Sequence, residues 1–103
     1  MKAIIKSLYQ NSRNKEVKEL IFNVFNKDYR IRCFIASDPN TPIFILDKLS
    51  NNKDDFVRSS VAQNQNTPVS ILEKLSKDER YIVCDYAIHN PNWIKTRKND
   101  KFK

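Results

Sequence analysis

The chain has 103 residues, 40% of them hydrophobic and 30% charged, with a net charge of +7, which is the size and composition of one globular domain and excludes a second full one. It has no glycine, one histidine and two cysteines, which removes the glycine-rich loops that cradle phosphates, the nucleophile elbow and most metal sites. Binding is therefore expected rather than chemistry, and no cofactor is expected.

The first elements are helical. Ala3 to Tyr9 reads as a short helix, and Val17, Leu20, Ile21 and Val24 mark an amphipathic helix from about Lys15 to Phe25, with Asn11-Ser12 before it as a cap. The apolar stretch at the start is too short for a secretion signal, and no apolar run approaches the roughly 20 residues needed to cross a bilayer. A cytoplasmic protein with no membrane partner is expected. Residues 1–27 are taken as an N-terminal cap or divergent repeat, 28–94 as repeats within one domain (1–94), and 95–103 as a basic, flexible C-terminal tail.

From residue 28 onward the chain repeats itself. An offset of 26 residues lays Ala36-Ser37-Asp38-Pro39-Asn40-Thr41-Pro42 over Ala62-Gln63-Asn64-Gln65-Asn66-Thr67-Pro68. Ile43, Ile45, Leu46 and Leu49 then fall on Val69, Ile71, Leu72 and Leu75, and Val57 and Val61 fall on Val83 and Ala87. Each unit reads as two short helices. Thr41 and Thr67 are expected as N-caps, with Pro42 and Pro68 at the first helical position, where a missing N–H costs nothing. A second helix of about ten residues follows Asp54-Asp55 or Asp78-Glu79, with Phe56, Val57 and Val61, or Ile82, Val83, Tyr86 and Ala87, as its apolar positions. In a glycine-free chain, the left-handed residue that ends many helices is expected to be Asn or Asp. Asn92-Trp93-Ile94 opens a further unit whose continuation is polar. Stacked helix pairs of this kind form a solenoid with a shared core.

The phrase Asn-Thr-Pro-x-x-Ile-Leu-x-Lys-Leu-Ser, followed by Phe-Val-Arg-Ser-Ser-Val-Ala-Gln-Asn, resembles the variant leucine-rich repeat family, which is akin to HEAT repeats. The resemblance covers roughly Asp28 to Ile94. It implies an all-α, right-handed superhelix that alternates an α-helix with a short helix of α or 3₁₀ type, and a scaffold without a shared catalytic residue. The founding type's iron–sulfur cluster does not carry over, because this chain has only Cys33 and Cys84. The third unit departs from the pattern: Cys84 stands in the register of Arg58, and Trp93-Ile94 replaces Thr-Pro.

The candidate binding residues are basic or aromatic. Arg32 and Arg58 share one register, either as a basic ladder or paired within the fold to carboxylates such as Asp47 or Asp55. Lys48 and Lys74, beside Asp47 and Glu73, read as partner contacts or a mixed solvated face. Asn40, Asn66 and Asn92 are expected to close the turns between units. Trp93 either seals the last core layer or anchors an interface, next to the basic cluster Lys95, Arg97 and Lys98. Cys84 and His89 suit one helical face, yet no oxyanion hole or orienting group accompanies them. Cys33 and Cys84, nearly two repeats apart, are too distant to bridge.

Charge is uneven: 8 Lys and Arg against 3 Asp and Glu up to Arg32, 6 against 8 from Cys33 to Ile94, and 5 against 1 from Lys95. The leading expectation is a non-enzymatic module that recognises a protein partner. Its rivals are a nucleic-acid backbone binder working through the basic ends, and a small inhibitor or adaptor of a nucleic-acid-processing, host-defence complex. Self-association through the terminal repeat, giving a homodimer, is a further option.

Overall fold

The computed structural model describes residues 28–101, with side chains as far as Arg97. The expected N-terminal helices and cap lie outside these residues, as does the side chain of Lys98. Six helices follow in order: α1 Tyr29–Ser37, α2 Ile43–Leu49, α3 Asp55–Gln63, α4 Val69–Leu75, α5 Tyr81–Ile88 and α6 Pro91–Lys101. No strand occurs among the described residues.

Helix starts follow a shared rule with local exceptions. Asp28 caps α1 by accepting the Arg30 N–H, and Asp54 caps α3 by accepting the Phe56 N–H, both at 2.9 Å. Arg80 holds the corresponding place before α5 and makes no side-chain capping bond; Asp78 accepts the Arg80 N–H at 2.9 Å, as Asn52 accepts the Asp54 N–H one period earlier. The short helices are α-helical and begin one residue later than expected, with Pro42 and Pro68 as extended N-caps. Thr41 and Thr67 are not their caps. Their hydroxyls turn back and donate to the Ile35 and Val61 carbonyls at 2.6 and 2.7 Å, adding a second donor to the end carbonyls of α1 and α3 that already accept the Asp38 and Asn64 N–H groups.

The expected left-handed Asn or Asp is absent: among the described residues no backbone φ is positive. Asp38 and Asn64, which end α1 and α3, are extended. The physical reason lies one period away. Asn64 Nδ2 donates to the Ala36 and Asp38 carbonyls at 2.8 and 2.9 Å, and Asn90 Nδ2 donates to the Ala62 and Asn64 carbonyls at 2.9 Å each. A left-handed turn would bring local N–H groups to the C-terminal carbonyls; here side-chain amides from further along the chain do that work. The same three positions close the turns, since Asp38, Asn64 and Asn90 accept the N–H groups of Asn40, Asn66 and Asn92 at 2.8–2.9 Å. The amides of Asn66 and Asn92 also reach back across the period, to Pro39 and to Gln65 and Thr67.

The core is built from aliphatic positions that keep their register. Ile35, Val61 and Ala87 are buried, as are Ile45 with Ile71, Leu46 with Leu72, and Leu49 with Leu75. Burying each Ile, Val or Leu side chain among them contributes about 1.5–3 kcal/mol. α1, α3 and α5 lie side by side and pack directly on one another, while α2 and α4 cover the other side, each touching the helices before and after it. Trp93 is half-buried against this core and so helps to close its last layer.

The stretch from Lys95, expected as a flexible tail, continues α6 as helix to Lys101. Pro91 starts this helix, Trp93 and Ile94 bond to the Asn90 carbonyl in its first turn, and Thr96 donates to the Asn92 carbonyl at 2.9 Å. An anchored first turn removes the nucleation cost for the polar residues that follow.

Candidate functional site

The face formed by α1, α3 and α5 carries a groove of about 340 Å³. Its middle is α3, where Ser59, Ser60 and Gln63 present small or polar groups. Tyr29 and Cys33 of α1 stand on one side, Ile82 and Tyr86 of α5 on the other, and Phe56 lines one end. Both serine hydroxyls donate to the Phe56 carbonyl at 2.9 Å, so they fold down onto the helix and leave the groove open above them. The Tyr29 and Phe56 rings meet with centroids 6.5 Å apart and a tilt of 37°, within the favourable range for aromatic pairs.

These aromatics are outside the core. Phe56 is 58% exposed, and Tyr29, Ile82 and Tyr86 are exposed as well. The expectation that Phe56, Ile82 and Tyr86 belong to the buried face is therefore corrected, whereas Val57, Val61, Val83 and Ala87 are buried as expected. A nine-residue helix with one stripe against the core has a second face, and on α3 that face carries Phe56 beside the small or polar Ser60 and Gln63. A usable sequence signal exists. On α1, α3 and α5 the register of Ile31, Val57 and Val83 stays aliphatic and packs on or into the core, whereas the register of Arg30, Phe56 and Ile82 changes character and is exposed.

Charges around the groove are paired within the chain. Arg30 meets Asp28 at 3.1 Å, Arg80 meets Asp55 at 2.9 Å, and His89 Nδ1 lies 3.4 Å from Asp85. Hydrogen bonds from Arg30 and Arg80 hold the Asp28 and Asp55 carboxyls below their ordinary pKa. Burial pushes the Cys33 thiol up, with a Ser60 hydrogen bond opposing it, so Cys33 is a protonated lining group and a poor nucleophile.

The basic candidates are dispersed. Arg58 serves the fold: its guanidinium meets Asp78 at 2.8 and 3.2 Å and the Asn52 carbonyl at 2.7 Å. The carboxylates named as its partners are engaged elsewhere, Asp55 with Arg80 and Asp47 with Lys74 at 3.5 Å. Asp78 wins because it lies in the loop before α5, next to the α3 turn that carries Arg58. Lys74 also donates to Asn51 at 3.0 Å. A second cleft, about 540 Å³, lies around Arg58, Lys74 and Asp78, and those three side chains already have intramolecular partners. Arg32 is half-buried on α1 and Lys48 is exposed on α2. Lys95 is exposed, and the Arg97 guanidinium stacks 4.3 Å from the Trp93 ring centroid.

Cys84 and His89 are not brought together as a reactive pair. The Cys84 thiol lies 3.2 Å from the Tyr81 carbonyl, and His89 bonds to Asp85 in its own helix. Cys33 and Cys84 are both free thiols. Among the described residues no group of three or more His, Cys, Asp or Glu side chains is placed to hold a metal ion, and no helix is long and apolar enough to cross a membrane. No family model matches the chain, and neither a curated protein nor a solved structure matches it.

Proposed function

We propose that this chain is a helical-repeat binding module that takes apolar side chains of a protein partner into the groove between Tyr29, Phe56, Ile82 and Tyr86. The 26-residue units form a short right-handed solenoid of the variant leucine-rich or HEAT-like kind, with residues 1–27 as its N-terminal cap. Direct packing of α1, α3 and α5 supports placing these helices on the inner side of that curve. One observation carries the functional reading: Phe56 stands exposed at the end of an aromatic-lined groove, while the aliphatic core is complete without it. Aromatic anchors around a concave surface are the usual source of interface energy. Internal pairing of the surrounding charges suits a neutral contact and gives phosphate nothing to hold.

The test compares the wild-type chain with Phe56→Ser and Arg97→Ser in crosslinking and pull-down from host extract. A protein captured by the wild type and by Arg97→Ser, lost with Phe56→Ser and retained after nuclease treatment, agrees with this reading. Capture that follows Arg97, or that falls steeply with salt and disappears with nuclease, overturns it in favour of phosphate binding along α6.

A further inference from the structure

The offset of 26 residues allows one helix edge to be compared with its own copy. On α3, Asp55, Arg58 and Ala62 lie at positions i, i+3 and i+7, a single stripe down the helix. All three address the next unit: Asp55 pairs with Arg80, Arg58 pairs with Asp78, and the Ala62 carbonyl receives Asn90. On α5 the same stripe is Tyr81, Cys84 and Ile88. An edge that is polar where a neighbour covers it has become apolar where no described residue does.

Exposure follows the same change. Ala36 and Ala62 are 0% exposed and Ile88, in their register, is 42% exposed, while Tyr81 is 77% exposed. The neighbouring register of Ile35, Val61 and Ala87 stays buried throughout, so Ile88 is open because of what should lie beside α5 and not because α5 is loosely docked. The bulk of Ile88 and the loss of Asp55 and Arg58 equivalents also reject another standard unit, which would need close approach at alanine and partners for its own Arg and Asp.

We infer that the Tyr81, Cys84 and Ile88 stripe is a self-association edge, on which α5 packs antiparallel against α5 of a second copy of this chain. Two features argue for a copy over a different protein. This edge continues the line of helix contacts that already joins α1 to α3 and α3 to α5. It is also self-complementary: a two-fold axis beside Cys84 sets Tyr81 against the partner's Ile88, Ile88 against the partner's Tyr81, and Cys84 against the partner's Cys84, the isologous pattern of a two-fold dimer. An eight-residue helix spans only about 12 Å, so the contact is small and the dimer is weak.

Sedimentation equilibrium of the full chain from about 10 μM to about 1 mM, the range expected of so small an interface, is the test. Reversible dimerisation is expected, weakened at least about tenfold by Ile88→Ala together with Tyr81→Asp, which restore the α3 residues and leave the core intact. Phe56→Ser, in the groove, leaves it unchanged, so failure of this inference is distinct from failure of the proposed function. As a second readout, the thiol oxidant diamide accepts two thiol hydrogens as one disulfide forms. A covalent dimer is expected with Cys33→Ser and not with Cys84→Ser. A chain that stays monomeric across the range, a dimer indifferent to Tyr81 and Ile88, or a covalent dimer that depends on Cys33 overturns the inference.

Discussion

Asn90 stands to Ala62 as Asn64 stands to Ala36: in each pair the side-chain amide donates to the alanine carbonyl, at 2.9 and 2.8 Å. Both amides are buried and each serves a second carbonyl two residues further on. Removing one takes the amide donor from the alanine carbonyl, leaves the second carbonyl with only the Thr41 or Thr67 N–H, and frees the N–H of the Asn two residues later. Asn64→Ala is expected to cost about 2–4 kcal/mol in urea denaturation. Asn64→Asp is not expected to rescue it, because the carboxylate keeps the acceptor oxygen and loses both donors.

Asp38 occupies the same register with the opposite chemistry. It is 1% exposed, Oδ1 accepts the Asn40 N–H, and Oδ2 has no hydrogen-bond partner among the described residues. An unsatisfied buried carboxylate oxygen carries a desolvation cost. Asp38→Asn keeps the Oδ1 bond and removes the charge, and an increase in stability of about 1 kcal/mol is expected by the same denaturation measurement. A decrease would show that the carboxylate has a favourable role at this edge.

Arg58 and Asp78 form an ion pair with side chains only 12% and 11% exposed, and the Asp78 hydrogen bond raises the Arg58 pKa. Arg58→Met leaves a nearly buried carboxylate without its cation, and a loss of about 2–4 kcal/mol is expected. Asp78 also keeps the Arg80 N–H, so Asp78→Asn is the milder change. A double-mutant cycle between the two positions measures their coupling.

Acid sensitivity should come from the capping and bridging carboxylates. Asp28 and Asp55 are both held below the ordinary value of 3.8, chiefly by hydrogen bonds from Arg30 and Arg80. A carboxyl with a lowered folded-state pKa contributes stability that is present above its unfolded value and is lost as pH falls through the folded one. The Tm is therefore expected to be flat between about pH 5 and 7 and to fall below about pH 4. Asp55→Asn should flatten the acid limb, as thermal melts followed by circular dichroism would read.

Sequence reasoning recovered the helical class and many core positions because apolar residues recur at fixed intervals. Leu46 with Leu72 and Leu49 with Leu75 mark the same core position twice, and the structure buries all four. It assigned Thr41 and Thr67 to capping because local rules look forward from a hydroxyl to the next helix, whereas both bonds run backward to the previous one. It read the asparagines as turn formers for a similar reason. Their amide contacts lie 25–28 residues away, and no local window contains the acceptor. The groove was missed because Phe56 and Val57 are adjacent, so apolar periodicity alone does not say which turns inward. Comparing Phe56 with Arg30 and Ile82 in its register does, since a core position would not accept arginine in one unit.

The backward direction of the asparagine bonds bears on how the chain is made. Synthesis delivers α1 well before Asn64, and α3 well before Asn90, so the Ala36 carbonyl lacks its amide donor while the first helix leaves the ribosome, and the Asp38 carbonyl has only the nearby Thr41 N–H. At roughly 5–20 residues per second, the 28 residues between Ala36 and Asn64 impose a wait on the order of seconds. During that wait α1 has no permanent ending. Each segment is thus completed retrospectively, by a residue that does not yet exist when the segment first forms, and a stalled or truncated chain leaves its last finished helix unsealed.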